Sequence, residues 1–194
     1  MTDIAPFILA SASPRRLDLL ARLGVVPAQV DPAESDETPR RNELPTVYAR
    51  RIAAEKAAIV ALRHPGCTIL AADTVVACGR MILPKAETEA EARACLARLS
   101  GRRHRVHSAV TVIDATGAAR HRLSTTTLSF KRLGESEIAA YLSSGEWRGK
   151  AGGYAVQGYA EAFVQRLSGS HSGVMGLPLF ETRALLIAAG VCAA

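Results

Sequence analysis

The sequence predicts an α/β or α+β protein built on one mixed central β-sheet flanked by helices. Three observations carry this expectation: apolar strand-like segments alternate with helical ones, a strand apolar on both faces lies near the middle of the chain, and a long hairpin follows it. Strand-helix alternation favours parallel pairing through crossovers, whereas a hairpin is antiparallel, so a sheet holding both must be mixed. With 194 residues, 48% of them apolar, the chain has the length of one domain and the side chains for a full core. We expect a single domain over residues 1–194, with a cleft between two lobes that divide near Asp36–Thr46 or near Ser100.

The elements follow in order. Phe7–Ala10 reads as a short apolar strand, and Ser13-Pro14 opens a helix whose Leu17, Leu20 and Leu23 recur at helical spacing until Gly24. Ala28–Asp31 is a second short strand, and the acidic, turn-rich Asp31–Pro39 is a loop. Thr46–Arg63 is a helix, with Pro45 before it and Pro65-Gly66 closing it. Thr68–Ala77 is the central strand, which Gly79-Arg80 turns into a partner at Met81–Leu83. Thr88 and Glu91 have capping-box spacing and open a helix that Ser100-Gly101 ends. Arg105–Ile113 alternates in polarity, and Asp114–Gly117 turns it into Ala118–Lys131. Glu135–Leu142 is helical, Gly149–Gly158 a glycine-rich loop, Ala162–Leu167 a strand, and Leu179–Ala189 a last apolar helix.

A balance of 24 basic against 18 acidic residues gives a net charge of +6 and points to an anionic partner: nucleic acid, nucleotide or phosphorylated metabolite. Aromatic residues are only 5%, too few for a platform on which single-stranded bases stack. The apolar run Ala184–Ala194 falls well short of the roughly 18 residues of a membrane span, and the first residues lack a secretory pattern. Cys67, Cys78, Cys95 and Cys192 have neither CxxC nor zinc spacing and read as buried free thiols, which suits a reducing cytoplasm. His104 and His107 point to opposite faces of a strand and cannot share a metal, and Ser170-His171-Ser172 reads as a turn.

Several residues break the local rules. On the helix Thr46–Arg63, Lys56 falls within the apolar stripe of Ala49, Ile52, Ala53 and Val60; either its ammonium snorkels to water, or it meets an anion in a cleft. Asp73 shares a strand face with Ile69, Ala71 and Val75, where an unpaired carboxylate is costly; it is either half of a structural ion pair or projects into a crevice at the strand's C-terminal edge. In Ser11-Ala-Ser-Pro-Arg-Arg16 a strand leads into a helix with Ser13 at its N-cap. Free N–H groups and two arginines in the first turn form a pattern that an anion would neutralise, although solvated arginines also account for it. Lys85 is a further candidate beside its reading as a solvated loop lysine, and Gln157 offers an amide that can pair with a base edge.

Taken together, Leu9-Ala-Ser-Ala-Ser-Pro-Arg-Arg16, Ala54-Glu-Lys-Ala57, Leu70-Ala-Ala-Asp-Thr-Val-Val76, Leu99-Ser-Gly-Arg102, Lys150-Ala-Gly-Gly-Tyr-Ala-Val-Gln-Gly158 and Val174-Met-Gly-Leu-Pro-Leu179 resemble the Maf family. The resemblance implies a cytoplasmic nucleoside triphosphate pyrophosphatase that cleaves between the α- and β-phosphates. It also implies a divalent metal cofactor, Mg²⁺ or Mn²⁺, an α/β fold similar to the inosine triphosphatases, a deep active-site cleft and a homodimer. The family's acidic catalytic residue falls on Asp73 and its lysines on Lys56 and Lys85; here Pro84-Lys85-Ala86 stands where the family has Gly-Lys-Pro. Its early acidic position matches Asp36-Glu37, of which Glu37 is favoured, and its substrate-selecting positions fall on Arg16, Thr74 and Gln157. Arg16 with Gln157 resembles the subgroup acting on dTTP and UTP rather than the one acting on 7-methyl-GTP.

On this reading Asp73 and Glu37 hold the metal and Asp73 takes a proton from the attacking water. Lys56 and Lys85 offset phosphate charge, and Ser11, Ser13, Arg15 and Arg16 cradle the triphosphate. The inward charges are expected to stand apart from one another in order to grip substrate and ion. No membrane and no stable nucleic-acid partner is expected. The rival from another class, a basic nucleic-acid-binding regulator without catalysis, explains the charge but not a lysine and a carboxylate on apolar faces. A kinase is disfavoured by the lack of a Walker loop or kinase signature.

Overall fold

The computed structural model describes residues 5–193, so the first four residues and Ala194, the end of the apolar run Ala184–Ala194, lie outside it. Strands β1 (Phe7–Leu9), β2 (Gln29–Val30), β3 (Thr68–Cys78), β4 (Met81–Leu83), β6 (Arg103–Ile113), β7 (Ala119–Phe130) and β9 (Val164–Ser168) form one sheet in the order β2-β1-β3-β6-β7-β9, with β4 also on β3. The parallel β2-β1-β3 pairings come from the two strand-helix-strand crossovers, and the antiparallel remainder from the hairpins, so the sheet is mixed as expected. A separate two-stranded pair joins β5 (Lys85–Ala86) to β8 (Lys150–Ala151).

The register of β3 decides where the site forms. On one edge β6 pairs with it from Ile69 to Ala77. On the other, β1 pairs as far as Leu70 and β4 from Val76 onward, so the edge is bare across Ala71–Val75. Asp73 and Thr74 sit in the middle of that gap. Because side chains alternate, Ile69, Ala71 and Val75 pack beneath α2 (Pro45–Arg63), whereas Leu70, Ala72 and Val76 belong to the larger core on the opposite face. That opposite face is covered by α1 (Pro14–Ala21), α3 (Glu89–Leu99), α4 (Glu135–Ser144), α5 (His171–Met175) and α6 (Leu179–Ala188).

Helix α3 carries the capping box that Thr88 and Glu91 announced. The central strand β3 runs from Thr68 to Cys78, one residue past the expected Ala77, because β4 continues the pairing beyond the gap. Three expectations are corrected. The strand expected from Ala162 begins at Val164; Tyr159–Phe163 is instead a 3₁₀ turn that carries Ala160 and Phe163 into the core against Tyr141 and Phe130. Ser170–Ser172 is not a simple turn: Ser170 accepts from the Gly173 amide at 2.9 Å and caps the one-and-a-half-turn α5. Of the four thiols only Cys95 is fully buried, which pushes its thiol pKa up; Cys67, Cys78 and Cys192 are half-buried. No helix among the described residues is long and apolar enough to cross a membrane.

Candidate active site

Lys56 leaves α2 at the bare stretch of β3. Its ammonium lies 3.0 Å from Asp73 Oδ1 and 2.6 Å from Glu37 Oε1, and Lys85 Nζ reaches the other Glu37 oxygen at 2.5 Å. The four groups form a chain of alternating sign, Asp73, Lys56, Glu37, Lys85, neutral as a set. This overturns the expectation that the charges stand apart. Lys56 and Asp73 are only 7% and 4% exposed, and a lone charge at that depth is expensive, so the fold pairs them.

The pair is nevertheless open to a cavity. Lys56, Asp73, Thr74 and Lys85 line a space of about 190 Å³ together with Ser13, Arg15, Arg16, Lys150 and Gln157. Asp73, Thr74, Lys85 and Glu37 also border a second cavity of about 350 Å³, whose other walls are Tyr48, Val75, Ile82, Leu83 and Pro84. The bare edge of β3 is where both cavities meet.

Glu37 sits on the long loop between β2 and α2, and α2 itself holds that loop in place. Asp31 at the start of the loop binds Arg63 and His64 at the end of the helix, each at 2.8 Å. Arg51 grips Glu43 at the far end and donates to the Thr38 carbonyl, and the Tyr48 hydroxyl donates to the Glu37 carbonyl at 2.7 Å. The neighbouring Asp36 turns away and accepts from the Thr38 amide, so Glu37 is the acid that reaches the lysines. Burial pushes the Glu37 carboxyl up, but hydrogen bonds and charge from Lys56 and Lys85 outweigh it and hold the group below its ordinary value.

The opposite wall is built by α1 and the end of α5. Ser13 is the N-cap and Pro14 the first helical residue, and the Ser13 side chain makes no capping bond. Arg15 Nε donates to the Met175 carbonyl at 3.2 Å and Arg16 Nε to that of Gly176 at 2.9 Å, so two carbonyls from the C-terminal end of α5 fix both guanidinium groups. Arg16 is depressed from its ordinary pKa by burial, opposed by the charge of Asp73. Ser108, on β6 opposite Thr74, donates to the Gly173 carbonyl at 2.6 Å and lies 3.0 Å from the Thr74 hydroxyl, tying α5 to the sheet.

Eight of the residues singled out from the sequence thus line one cavity: Ser13, Arg15, Arg16, Lys56, Asp73, Thr74, Lys85 and Gln157. Glu37 borders the adjoining one. Ser11 is buried behind the wall, where its hydroxyl accepts from Arg16 Nη1 at 2.8 Å and from the Ser13 amide at 3.2 Å. Ser108, Tyr48 and Lys150 were missed. Ser108 had a signal, being a hydroxyl on the same face of β6 as Val106 and Val110; Tyr48 stands four residues before Ile52 on the stripe that holds Lys56.

Two carboxylates that meet at one ammonium also form a donor set suited to a hard divalent cation. No cluster of three or more His, Cys, Asp or Glu gathers among the described residues, so such an ion would take these two carboxylates and no third side chain of those types. That fits Mg²⁺, which is commonly held by one or two carboxylates, with substrate phosphates and water completing its shell.

Residues 6–189 match the family described as Maf-like protein. The chain is 63% identical over 184 residues to a dTTP/UTP pyrophosphatase of Novosphingobium aromaticivorans, covering 95% of this chain and 92% of that protein. It is 61% identical over 183 residues to a dTTP/UTP pyrophosphatase of Zymomonas mobilis, covering 94% and 91%. Among solved structures, a nucleoside-triphosphatase/dITP/XTP pyrophosphatase from Mycobacterium abscessus aligns with a TM-score of 0.47 and 18% identity over 95% of this chain and 94% of that one. The chain belongs to the Maf-like protein family.

Proposed function

We infer that this protein hydrolyses nucleoside triphosphates to the monophosphate and pyrophosphate, with dTTP and UTP as preferred substrates. The observation that carries the reading is that Asp73, Lys56 and Lys85, bridged by Glu37, share one cavity with Arg15 and Arg16. Relatives named dTTP/UTP pyrophosphatase support the substrate assignment.

Hydrolysis of a phosphoanhydride needs little covalent chemistry from protein. It needs water held in line and charge offset on the phosphoryl oxygens and the leaving group. Among the described residues Asp73 is bonded only through Oδ1, to Lys56, which orients the carboxylate and leaves Oδ2 to accept a proton from water in the cavity. Lys56 and Lys85 each have three donors and retain capacity for phosphate oxygens. Arg15 and Arg16, fixed through Nε, present their remaining N–H groups to the phosphate chain. Gln157, exposed at the cavity wall, and Thr74 read the base. Asp73 and Glu37 would hold Mg²⁺ or Mn²⁺, which when bound neutralises phosphate charge and acidifies a water molecule.

Pyrophosphate release over a panel of dTTP, UTP, dCTP, dGTP and 7-methyl-GTP with Mg²⁺ tests the proposal. Preferred turnover of dTTP and UTP is expected. Preference for 7-methyl-GTP would overturn the substrate assignment, and salt-sensitive RNA or DNA binding with no product would overturn the enzymatic one.

A further inference from the structure

The charges around the cavity balance on one wall and not on the other. Asp73 and Glu37 are matched by Lys56 and Lys85. Arg15, Arg16 and Lys150 line the same space, yet none of them forms an ion pair among the described residues. The arginines belong to the helix start already described. Lys150 does not, and nothing assigned so far uses it.

Its position is fixed by backbone. Lys150 pairs with Ala86 across β5 and β8, the Gly149 amide donates to the Ala86 carbonyl at 2.9 Å, and the Gly152 amide donates to the Pro84 carbonyl at 2.9 Å. Gly152 presses this segment onto β3: its φ is +67°, and a Cβ there would come within 2.8 Å of Val76 Cγ1. The half-buried Lys150 ammonium donates to the Arg148 carbonyl at 2.9 Å, which leaves two of its three N–H groups. Burial and then the charge of Arg15 lower its pKa against the opposing charges of Glu146 and Glu87, and the fold holds the two like charges on the lining of one cavity. For folding alone that is unfavourable; an incoming anion makes it favourable.

We propose that Lys150, together with Arg15, binds the phosphate chain of the substrate. The proposal rests on the reading of this chain as a triphosphate pyrophosphatase and adds a substrate-binding residue to it. Lys150 on β8 and Gln157 in the turn segment that follows line one cavity, so a single stretch of chain carries contacts to the phosphates and to the base.

The test is a calorimetric titration of inorganic tripolyphosphate, which has neither base nor sugar, into the wild-type protein, Lys150→Met and Lys150→Arg in metal-free buffer. A charge-assisted contact of this kind corresponds to a rise in Kd of about 10- to 100-fold in Lys150→Met. Lys150→Arg keeps the charge and should retain most of the affinity. The melting temperature and the ratio of dTTP to dGTP turnover should stay at the wild-type values. A Lys150→Met Kd within about twofold of wild type overturns the proposal, as does failure of the wild-type protein to bind tripolyphosphate. Loss of base preference with unchanged tripolyphosphate affinity also overturns it. If Lys150→Met unfolds, Lys150→Gln takes its place. A wild-type protein that binds tripolyphosphate but releases no pyrophosphate from any nucleotide would sink the enzymatic reading while leaving Lys150 as a phosphate ligand.

Discussion

Asp73 has two tasks at once, as an ion-pair partner of the buried Lys56 and as a carboxylate lining the cavity. The tasks separate on substitution. Asp73→Asn leaves Lys56 its second partner, Glu37 at 2.6 Å, so the variant should fold and keep its melting temperature within a few degrees. Its kcat should fall by about 10²-fold or more, the scale on which general-base catalysis contributes, and steady-state kinetics on the folded variant measures it. Near-normal turnover would make Asp73 a structural ion-pair partner only. Gln157 makes no hydrogen bond to protein among the described residues, so Gln157→Ala should leave stability unchanged and cut discrimination between pyrimidine and purine triphosphates by about 10-fold. An unchanged preference would remove Gln157 from base reading. Lys56 and Asp73 were legible in the sequence because each violates an apolar pattern. Their pairing with each other was only one of two readings, and the bridge through Glu37 was hidden, since it depends on where a long loop is tied down by Arg51, Arg63 and Tyr48.

The interrupted edge of β3 makes a site out of a buried strand. Central strands read as continuous apolar runs because both faces are covered, so the polar step Asp73-Thr74 fits only where cavities reach the strand, which they do where β1 has ended and β4 has not begun. The strand itself, its turn at Gly79 and its partner β4 were all readable; the gap was not, because pairing register is a tertiary property. The β5–β8 pair closes this region, and Gly152 is its tightest point. In Gly152→Ala the new Cβ meets a β-branched valine and an L-residue is forced to positive φ. We expect a loss of about 2–4 kcal/mol by urea denaturation, partly restored in the double variant with Val76→Ala; equal stability of Gly152→Ala and wild type would contradict the close approach. The 3₁₀ turn Tyr159–Phe163 escaped sequence reading because its alternating apolar residues suit a strand equally well, and packing on Tyr141 decided the matter.

Across the whole molecule, a +6 charge pointed to an anion without choosing among polyanions, and the structure places Arg15, Arg16 and Lys150, three cations with no ion pair among the described residues, at one cavity wall. The alternation of strands and helices was sufficient for a mixed sheet, since only the hairpin at Asp114–Gly117 and the crossovers had to be recognised. Stability carries its own titration. His104 is buried against Phe130 and Tyr154, and burial pushes its pKa down to about 4, below the ordinary 6.5. The unfolded chain therefore binds a proton that the folded one refuses between those values. This contribution is complete above about pH 6.5 and falls away as pH drops toward 4, a loss of about 3 kcal/mol. Denaturation at pH 7 and pH 4.5 should show it, and His104→Gln, which keeps a neutral hydrogen-bonding group beside Tyr154, should remove most of it; an identical pH dependence in the variant would assign the titration elsewhere. The central claim, that the paired charges on the bare edge of β3 serve cleavage between the α- and β-phosphates, is tested most directly by ³¹P NMR of dTTP incubated with the wild-type protein and Mg²⁺. Pyrophosphate and thymidine monophosphate in equal amounts are the predicted products. Orthophosphate with thymidine diphosphate, or intact dTTP, would contradict it.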